Sequence, residues 1–485
     1  MRYPYLIGGC VLSVFAINAR WDIALAAWLC NVLLLRFTRQ SRWWVAWLWA
    51  WLVMTLDVGV WLWHADLTSP VFVPIAAALG LGCSLPFLAD RLAAPRLGTL
   101  PATLVFPLAK VTVEYLVSTA APVGGIVGVL GVTQHGNLPL AQLASVTGVY
   151  GVSFLVAWFA PVALACWEHR RRWRTAVVTF AGVLAVVLAA GGIRLIAAAP
   201  GGETVRVAGV APAPQAWQRT LDGIAPYESV EAMSQADPAV LQEAFGHVVD
   251  DLLARSAREA GAGAKLVVWP ESAVVTMDRD EQALLTRFGE FARQHGIHLS
   301  AGLTVYTGSA PFVRNESVLF APDGSVRWTY RKAHPIPVLE PYEAGDGVVP
   351  VADTPLGRLA TVICFDANFP SLLRQGGDQR VDLMLVPSND WNGIKDGQAR
   401  TARLRAIENG FAVVRPTMEG LSEAVDPLGR VLASTDYFHG GQDPTMVAYV
   451  PTHGTRTIYG TIGDVFAWLC LAALAGLIVT AARRT

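Results

Sequence analysis

Apolar residues are spread unevenly along the chain. Runs near the length of about 20 residues that a helix needs to cross a bilayer fall at 3–19, 21–36, 43–63, 69–89, 98–119, 137–167 and 174–196, with a last one at 457–481. Between them, 201–456 has the mixed pattern of a globular domain. This predicts a polytopic α-helical membrane domain over 1–200 with about seven helices, a soluble domain over 201–456, and one closing transmembrane helix over 457–485. Inside 201–456, strand and helix signals alternate. Strands are expected near 205–210, 266–271, 298–306, 315–320, 326–330, 361–366, 381–387, 411–415, 423–425 and 446–450, and helices at 238–260, 281–295 and 397–409. Pro238 opens the first of these helices and Gly261 follows it, as helix start and stop signals require. Strands alternating with helices and finishing in hairpins predict a layered α/β domain.

Charge then orients the membrane half. Arg36, Arg39 and Arg42 fall in one loop, Arg91 and Arg96 in another, and Arg170, Arg171, Arg172 and Arg174 in a third, while Arg483 and Arg484 close the chain. The intervening loops, around His64-Ala65-Asp66 and over 123–136, carry neither Arg nor Lys. Cytoplasmic loops are the ones enriched in Lys and Arg, so an even number of helices with both ends inside places 201–456 on the outer face. The next apolar run follows the first at once, so the first run is expected to stay as a span rather than to be cleaved as a signal peptide. With 53% hydrophobic residues, 15% charged residues and a net charge of −1, the chain lacks the basic excess that nucleic-acid binding needs. Two features inside the spans are expected to serve packing. Lys110 and Glu114 lie four apart on one helix face and neutralise each other. Trp43, Trp44, Trp47, Trp49, Trp51, Trp61 and Trp63 crowd one hairpin, those near its ends fitting an interfacial belt.

Candidate chemistry is concentrated in three apolar strand-like runs that end on a reactive residue. Leu266-Val267-Val268-Trp269-Pro270-Glu271 ends on a carboxylate, Trp328-Thr329-Tyr330-Arg331-Lys332 on an amine, and Thr361-Val362-Ile363-Cys364 on a thiol followed by Phe365 and Asp366. Of six cysteines, Cys10, Cys30, Cys83, Cys166 and Cys470 fall in the apolar runs, which leaves Cys364 alone in the outer domain. A lone thiol in an oxidising compartment is either buried and inert or kept for reactivity. The chain has four lysines, Lys110, Lys265, Lys332 and Lys395, against an abundance of arginine, so a lysine retained here suits a need for a compact point charge. A thiol that attacks an ester or amide needs a base for its proton and a cation for the developing oxyanion. Glu271 and Lys332 can fill those roles. No Gly-x-Ser-x-Gly elbow is present, and the close histidine pair, His295 and His298, straddles the break at Gly296. Neither a serine hydrolase nor a metal site is indicated, and no cofactor is expected.

In this order, strand-Glu, strand-Lys and strand-Cys resemble the nitrilase, or carbon-nitrogen hydrolase, superfamily. The helices before and after resemble its membrane branch, the apolipoprotein N-acyltransferases. Further matching stretches are Thr147-Gly148-Val149-Tyr150-Gly151, Ser388-Asn389-Asp390-Trp391, Arg405-Ala406-Ile407-Glu408 and Asp426-Pro427-Leu428-Gly429-Arg430. The resemblance implies a nitrilase-like α-β-β-α sandwich in which Glu271 is the base, Lys332 the oxyanion cation and Cys364 the nucleophile. It adds Glu340 as a second acid, Asn315 as a residue near the site, and Trp217 as an approximate counterpart of a tryptophan in the first strand-loop. Phe365 and Asp366 stand where the family usually has Tyr-Glu; they are expected beside the substrate, facing opposite ways if the strand continues through them. The family's Gly-Phe-Pro-Trp stretch is replaced by Ala121-Pro122-Val123-Gly124. The implied activity moves a phospholipid acyl chain through a cysteine thioester onto the amine of a diacylglyceryl-cysteine at a lipoprotein N-terminus. The implied location is a bacterial inner membrane with the catalytic domain on the periplasmic side. The alternative is a membrane-tethered amidase with the same three residues acting on a small amide. The loop charges yield a direct test. A reporter fused after Arg172 is expected to read cytoplasm and one fused at Gly202 the outer compartment, and the opposite pattern removes the proposed orientation.

Overall fold

The computed structural model describes residues 2–121, 125, 128–168, 171–198, 203–439 and 443–484. Pro122, Val123, Gly124, Arg170 and Gly202 lie outside the described residues. The chain divides into two compact units, one holding Met1–Ala199, Asp396–Glu408 and Thr457–Thr485, the other Pro200–Lys395 and Asn409–Arg456. The expected 201–456 domain is corrected in one respect: its helix Lys395–Asn409 groups almost entirely with the apolar helices. Leu404 and Ile407 on that helix are buried in the hydrophobic core of those helices, and this apolar burial outweighs the helix's polar composition.

In the first unit, among the described residues, six helices are long and apolar enough to cross a membrane: Trp43–His64, Phe72–Arg96, Thr99–Ala120, Val149–Trp167, Trp173–Ala197 and Val465–Ala482. The first two expected spans form shorter helices, Tyr3–Ser13 and Ala24–Arg39. The long run at 137–167 is broken into Leu138–Ala141, Ala144–Thr147 and Val149–Trp167. Gly148 makes the break with φ of 67°, and a Cβ there would lie 2.6 Å from the Tyr459 ring, so both backbone and space demand glycine. The helix that restarts at Val149 is capped by Glu408, whose Oε1 accepts from the Val149 amide at 2.7 Å. A carboxylate is stabilising at the positive end of a helix dipole.

Several buried polar groups in this unit are paired, as a hydrocarbon setting favours. Lys110 Nζ lies 3.2 Å from Glu114 Oε1, which also accepts from the Leu130 amide at 2.9 Å, consistent with the packing role read from their spacing. Asp57 accepts from Ser13 Oγ at 2.9 Å, and Arg39 pairs with Asp90 at 2.8 Å. Trp47 Nε1 donates to Ser84 Oγ and Trp51 Nε1 to the Ala77 carbonyl, while Trp43, Trp44 and Trp63 at the ends of their helix are exposed.

The second unit is built on two sheets. Its strands in chain order are β1 Thr204–Val210, β2 Leu266–Val268, β3 Val274–Met277, β4 His298–Tyr306, β5 Val313–Phe320, β6 Val326–Arg331, β7 Val351–Thr354, β8 Gly357–Thr361, β9 Leu383–Leu385, β10 Ala412–Arg415, β11 Leu421–Val425, β12 Val431–Asp436 and β13 Thr445–Pro451. One sheet runs β13-β1-β2-β4-β5-β6 with β3 beside β4, the other β12-β11-β10-β9-β8-β7. The central strands β1, β2 and β4 are parallel, as are β8, β9 and β10. Alternate side chains of a strand point to opposite faces, and both faces are used. Val205, Val207, Leu266 and Val268 meet Leu359, Leu383, Leu385, Ala412 and Val414 between the sheets. Ala208, Val267, Leu299, Ala301 and Leu303 face the other way, against Val248, Val249 and Leu252 of helix Pro238–Gly261 and Phe288 and Ala292 of helix Asp278–His295. On the outer side of the second sheet, Gly376 of helix Pro370–Asp378 lies against Met384 and Phe411. The result is an α-β-β-α sandwich.

One close approach ties the first sheet to the candidate base. A Cβ built on Gly302 of β4 would fall 1.9 Å from the Pro270 carbonyl oxygen, one residue before Glu271. Gly302→Ala is expected to destabilise the protein by about 2–3 kcal/mol through overpacking against backbone and to displace Glu271. The check is the melting temperature in detergent together with the rate of Cys364 alkylation; a variant unchanged in both removes this link.

Candidate active site

Glu271, Lys332 and Cys364 all stand just beyond the ends of strands. β2 ends at Val268, and the Trp269 amide continues its pairing by donating to the Ser300 carbonyl at 2.8 Å. Pro270 has no amide hydrogen to extend the ladder, so the chain turns. Glu271 sits in that turn, followed by Ser272 with φ of 55°, whose Oγ accepts from Thr304 Oγ1 at 2.7 Å. Lys332 follows β6 directly, its amide donating to the Asn315 carbonyl at 3.0 Å. The third strand, β8, stops at Thr361 and not, as expected, at Cys364, and it does not continue through Phe365 and Asp366. Cys364 takes φ of 47° and opens the single turn Cys364–Asn368, its amide donating to the Pro387 carbonyl at 2.9 Å. Ligand and catalytic groups gather at the carboxyl ends of parallel strands in this class of sheet.

These three ends meet in a closed set of charges. Lys332 Nζ lies 2.8 Å from Glu271 Oε1 and 2.7 Å from Glu340 Oε1. Glu271 Oε1 also accepts from Asn315 Nδ2 at 2.7 Å, and its Oε2 from the Asn389 amide at 2.9 Å. Glu340 Oε2 accepts from the Ile336 amide at 2.7 Å. Cys364 is 2% exposed and its Sγ is 3.8 Å from the Asn389 carbonyl oxygen, so the backbone of one residue, Asn389, faces both base and thiol.

Burial alone would push the Lys332 ammonium down, but the charges of Glu271 and Glu340 outweigh it and hold it well above the ordinary lysine value. Burial, reinforced by the charge of Glu271, drives the Cys364 thiol well above its ordinary value despite the opposing pull of Lys332. The resting thiol is therefore neutral and needs a base at the moment of attack. Burial also raises Glu340, against the pull of Lys332, and pushes Tyr342 up to about 12 with the help of Glu340 and Glu271.

Among the residues expected beside the substrate, Asn315 touches Glu271 directly. Asp366 has a different place. Because the backbone turns at Cys364, Asp366 folds back and is fully buried. Its Oδ2 accepts from Tyr330 Oη at 2.8 Å, the Ile363 amide at 3.1 Å and the Ala333 amide at 3.3 Å, and its Oδ1 from the His334 amide at 2.7 Å. Its acceptors are occupied by the segment around Lys332, so it clamps the cation's strand end to the nucleophile's turn and has no arm free for an incoming amine. Phe365 lies edge-on to Phe369, which stacks on His334 at 3.8 Å. Trp217, on helix Pro214–Ile224, packs among Met233, Leu241, Phe245 and Met277. Lys395 is buried and its Nζ pairs with Asp436 Oδ2 at 2.8 Å. In the sequence Asn389 and Tyr330 stand only as members of longer stretches, and nothing singles out His334. Their roles run through backbone groups and through pairings distant in the chain, for which the sequence carries no local signal.

Comparison with known proteins now decides the family. Residues 8–162 match the apolipoprotein N-acyltransferase N-terminal domain and residues 231–457 the carbon-nitrogen hydrolase domain. An apolipoprotein N-acyltransferase of Bradyrhizobium diazoefficiens is 30% identical over 477 residues, covering 88% of this chain and 81% of its own. The chain belongs to the apolipoprotein N-acyltransferase family. A second relative so named, from Geobacter metallireducens, is 28% identical, covering 78% of this chain and 74% of its own. An amidase from Nesterenkonia sp. of known crystal structure is 19% identical, with 54% of this chain and 95% of that one covered and a TM-score of 0.41. The chain is thus a multi-pass membrane protein of a bacterial apolipoprotein N-acyltransferase family, and an enzyme of the nitrilase superfamily.

The electrostatics make two predictions. Lys332→Met removes the one group of this cluster that lowers the thiol, so alkylation of Cys364 by a neutral reagent is expected to slow and its pH dependence to move further alkaline; a faster reaction contradicts the sign of the interaction. Asp366→Ala is expected to cost about 3 kcal/mol or more, because buried donors from Tyr330, Ile363, Ala333 and His334 lose their acceptor at once. A melting temperature within a degree of wild type contradicts the clamp.

Proposed function

We propose that this protein is an N-acyltransferase that carries a phospholipid acyl chain on Cys364 and delivers it to the N-terminal amine of a diacylated lipoprotein. The observation that carries this reading is the buried Lys332 ammonium held between Glu271 and Glu340, together with the neutral Cys364 thiol, in a chain whose apolar helices suit a lipid substrate. In the first half, the Glu271 carboxylate takes the thiol proton as Sγ attacks the ester carbonyl carbon. Lys332 stabilises the oxyanion that forms, a service whose loss typically costs about 100- to 1000-fold in rate. Collapse breaks the ester C–O bond, Glu271 returns the proton to the departing glyceryl oxygen, and a lysophospholipid leaves behind a thioester.

In the second half, the acceptor amine attacks the thioester carbonyl. Glu271 accepts a proton from the nitrogen and passes it to the leaving Cys364 sulfur, so an amide forms and the thiol is restored. Glu340 keeps Lys332 in place through both halves. The loop charges support a periplasmic orientation of the catalytic unit in the inner membrane. Both substrates are lipids confined to a bilayer surface, and anchoring helices bring the enzyme to the plane in which they diffuse.

The test is intact mass spectrometry of purified protein incubated with phospholipid, followed by addition of a diacylated lipopeptide. The expected result is a single acyl adduct on Cys364 that decays only when the lipopeptide is added. Cys364→Ser is expected to give no thioester and no transfer, since a hydroxyl lacks the thiol's acidity and leaving ability. Absence of an adduct from phospholipid, with hydrolysis of a small amide at Cys364, would establish the amidase alternative.

A further inference from the structure

We infer that Asp390 and Arg415 form a positioning pair that fixes the backbone at Asn389, and through it sets base and nucleophile in register. The inference rests on the proposed roles of Glu271 and Cys364 but assigns to this pair a function of its own. After β9, the segment 386–391 runs between the two strand ends that carry the reacting groups. Its Pro387 carbonyl accepts from the Cys364 amide at 2.9 Å, its Asn389 amide donates to Glu271 Oε2 at 2.9 Å, and its Asn389 carbonyl lies 3.8 Å from Sγ. One residue thus presents its amide, on the Ser388–Asn389 peptide, to the base and its carbonyl, on the adjoining Asn389–Asp390 peptide, to the thiol. A displacement of the backbone at Asn389 alters both at once.

What holds this backbone lies one residue on. Asp390 is 2% exposed and Arg415, at the end of β10, 1%. Arg415 Nη2 sits 2.8 and 2.9 Å from the two Asp390 oxygens, and Nη1 donates to the Leu421 carbonyl at 3.2 Å. The preceding residue is tied separately: the Ser388 amide donates to the Pro416 carbonyl at 3.0 Å and its carbonyl accepts from the Met418 amide at 3.0 Å. Asn389 is therefore flanked by two anchors to the β10–β11 connection. Gly420 in that connection makes room, since a Cβ there would lie 2.7 Å from Asp390 Oδ2.

Stability alone does not account for such a pair. A buried ion pair can often be replaced by well-packed apolar residues with little loss of stability, while removing one partner strands a charge. At the thiol the two charges act in opposite directions, Asp390 raising it and Arg415 lowering it. What remains is geometry. The Asn389 amide holds one Glu271 oxygen while Lys332 and Asn315 hold the other. Losing the alignment therefore misdirects the base toward the thiol while leaving lipid binding in place.

The experiment compares Asp390→Leu/Arg415→Met, which removes both charges together, with Arg415→Lys, which keeps the charge but lacks the planar fork. The readouts are melting temperature in detergent, the rate of Cys364 acyl-adduct formation across phospholipid concentration, and alkylation of Cys364 by a small neutral reagent. The positioning role predicts a double variant that melts near wild type and acylates at least about 10-fold more slowly at saturating phospholipid, with the half-saturating concentration unchanged, and Arg415→Lys displaced in the same direction. If the double variant does not fold, Arg415→Lys carries the decision on the same split. A wild-type limiting rate in a folded variant overturns the inference, and so does a loss carried by a raised half-saturating concentration, which marks a pair that shapes lipid binding instead. Failure of the wild-type protein itself to form the adduct would instead overturn the acyltransferase reading, and the alkylation rate still tests the pair in that case.

Discussion

A lysine ammonium in a dry interior is costly unless opposite charge and hydrogen bonds surround it, and the catalytic unit is arranged to meet that condition at Lys332. Two carboxylates touch its nitrogen, and each is held in turn: Glu271 by Asn315 and the Asn389 amide, Glu340 by the Ile336 amide. The cluster draws on the ends of β2 and β6, the body of β5, the loop after β6 and the loop after β9. None of these segments can shift without leaving a charge unpaired. The same dryness holds the nearby thiol neutral, so Cys364 gains reactivity only when a substrate carbonyl arrives to accept its electrons while Glu271 takes its proton.

The strand ends were legible because apolar runs stop on charged or reactive residues. Pro270 marks where β2 can no longer pair, and Lys332 follows β6 as the spacing implied. The run through Asp366 misled for a specific reason. Its residues suit a strand, but Cys364 adopts φ of 47°, a conformation uncommon outside glycine that nothing local announces. With that turn, Asp366 changes from a group beside the substrate to a buried acceptor. Helix Lys395–Asn409 was placed correctly along the chain and assigned to the wrong body, because only the positions of Leu404 and Ile407 on its surface, and not its average polarity, decide where it packs.

The membrane half was easier to count than to shape. Hydropathy located the spans, yet it reads Gly148 as one more small residue in a long apolar run. The break there depends on the Tyr459 ring and on the Glu408 carboxylate, partners far away in sequence. Lys110 and Glu114 were readable as a pair because helical spacing alone brings them together.

Because Asp396–Glu408 belongs with the apolar helices, the polypeptide passes between the two units four times, near residues 199, 395, 408 and 456. The catalytic unit is consequently not a contiguous length of gene that can be excised. A fragment beginning after the first group of helices and ending before the last would still carry this helix, now stripped of its surroundings, with Leu404, Ile407 and the Arg405–Glu408 pair turned out to water. Such a fragment would be a sticky, partly unfolded product, so soluble expression of the sandwich alone would require the helix to be replaced by a designed linker as well as both ends to be trimmed.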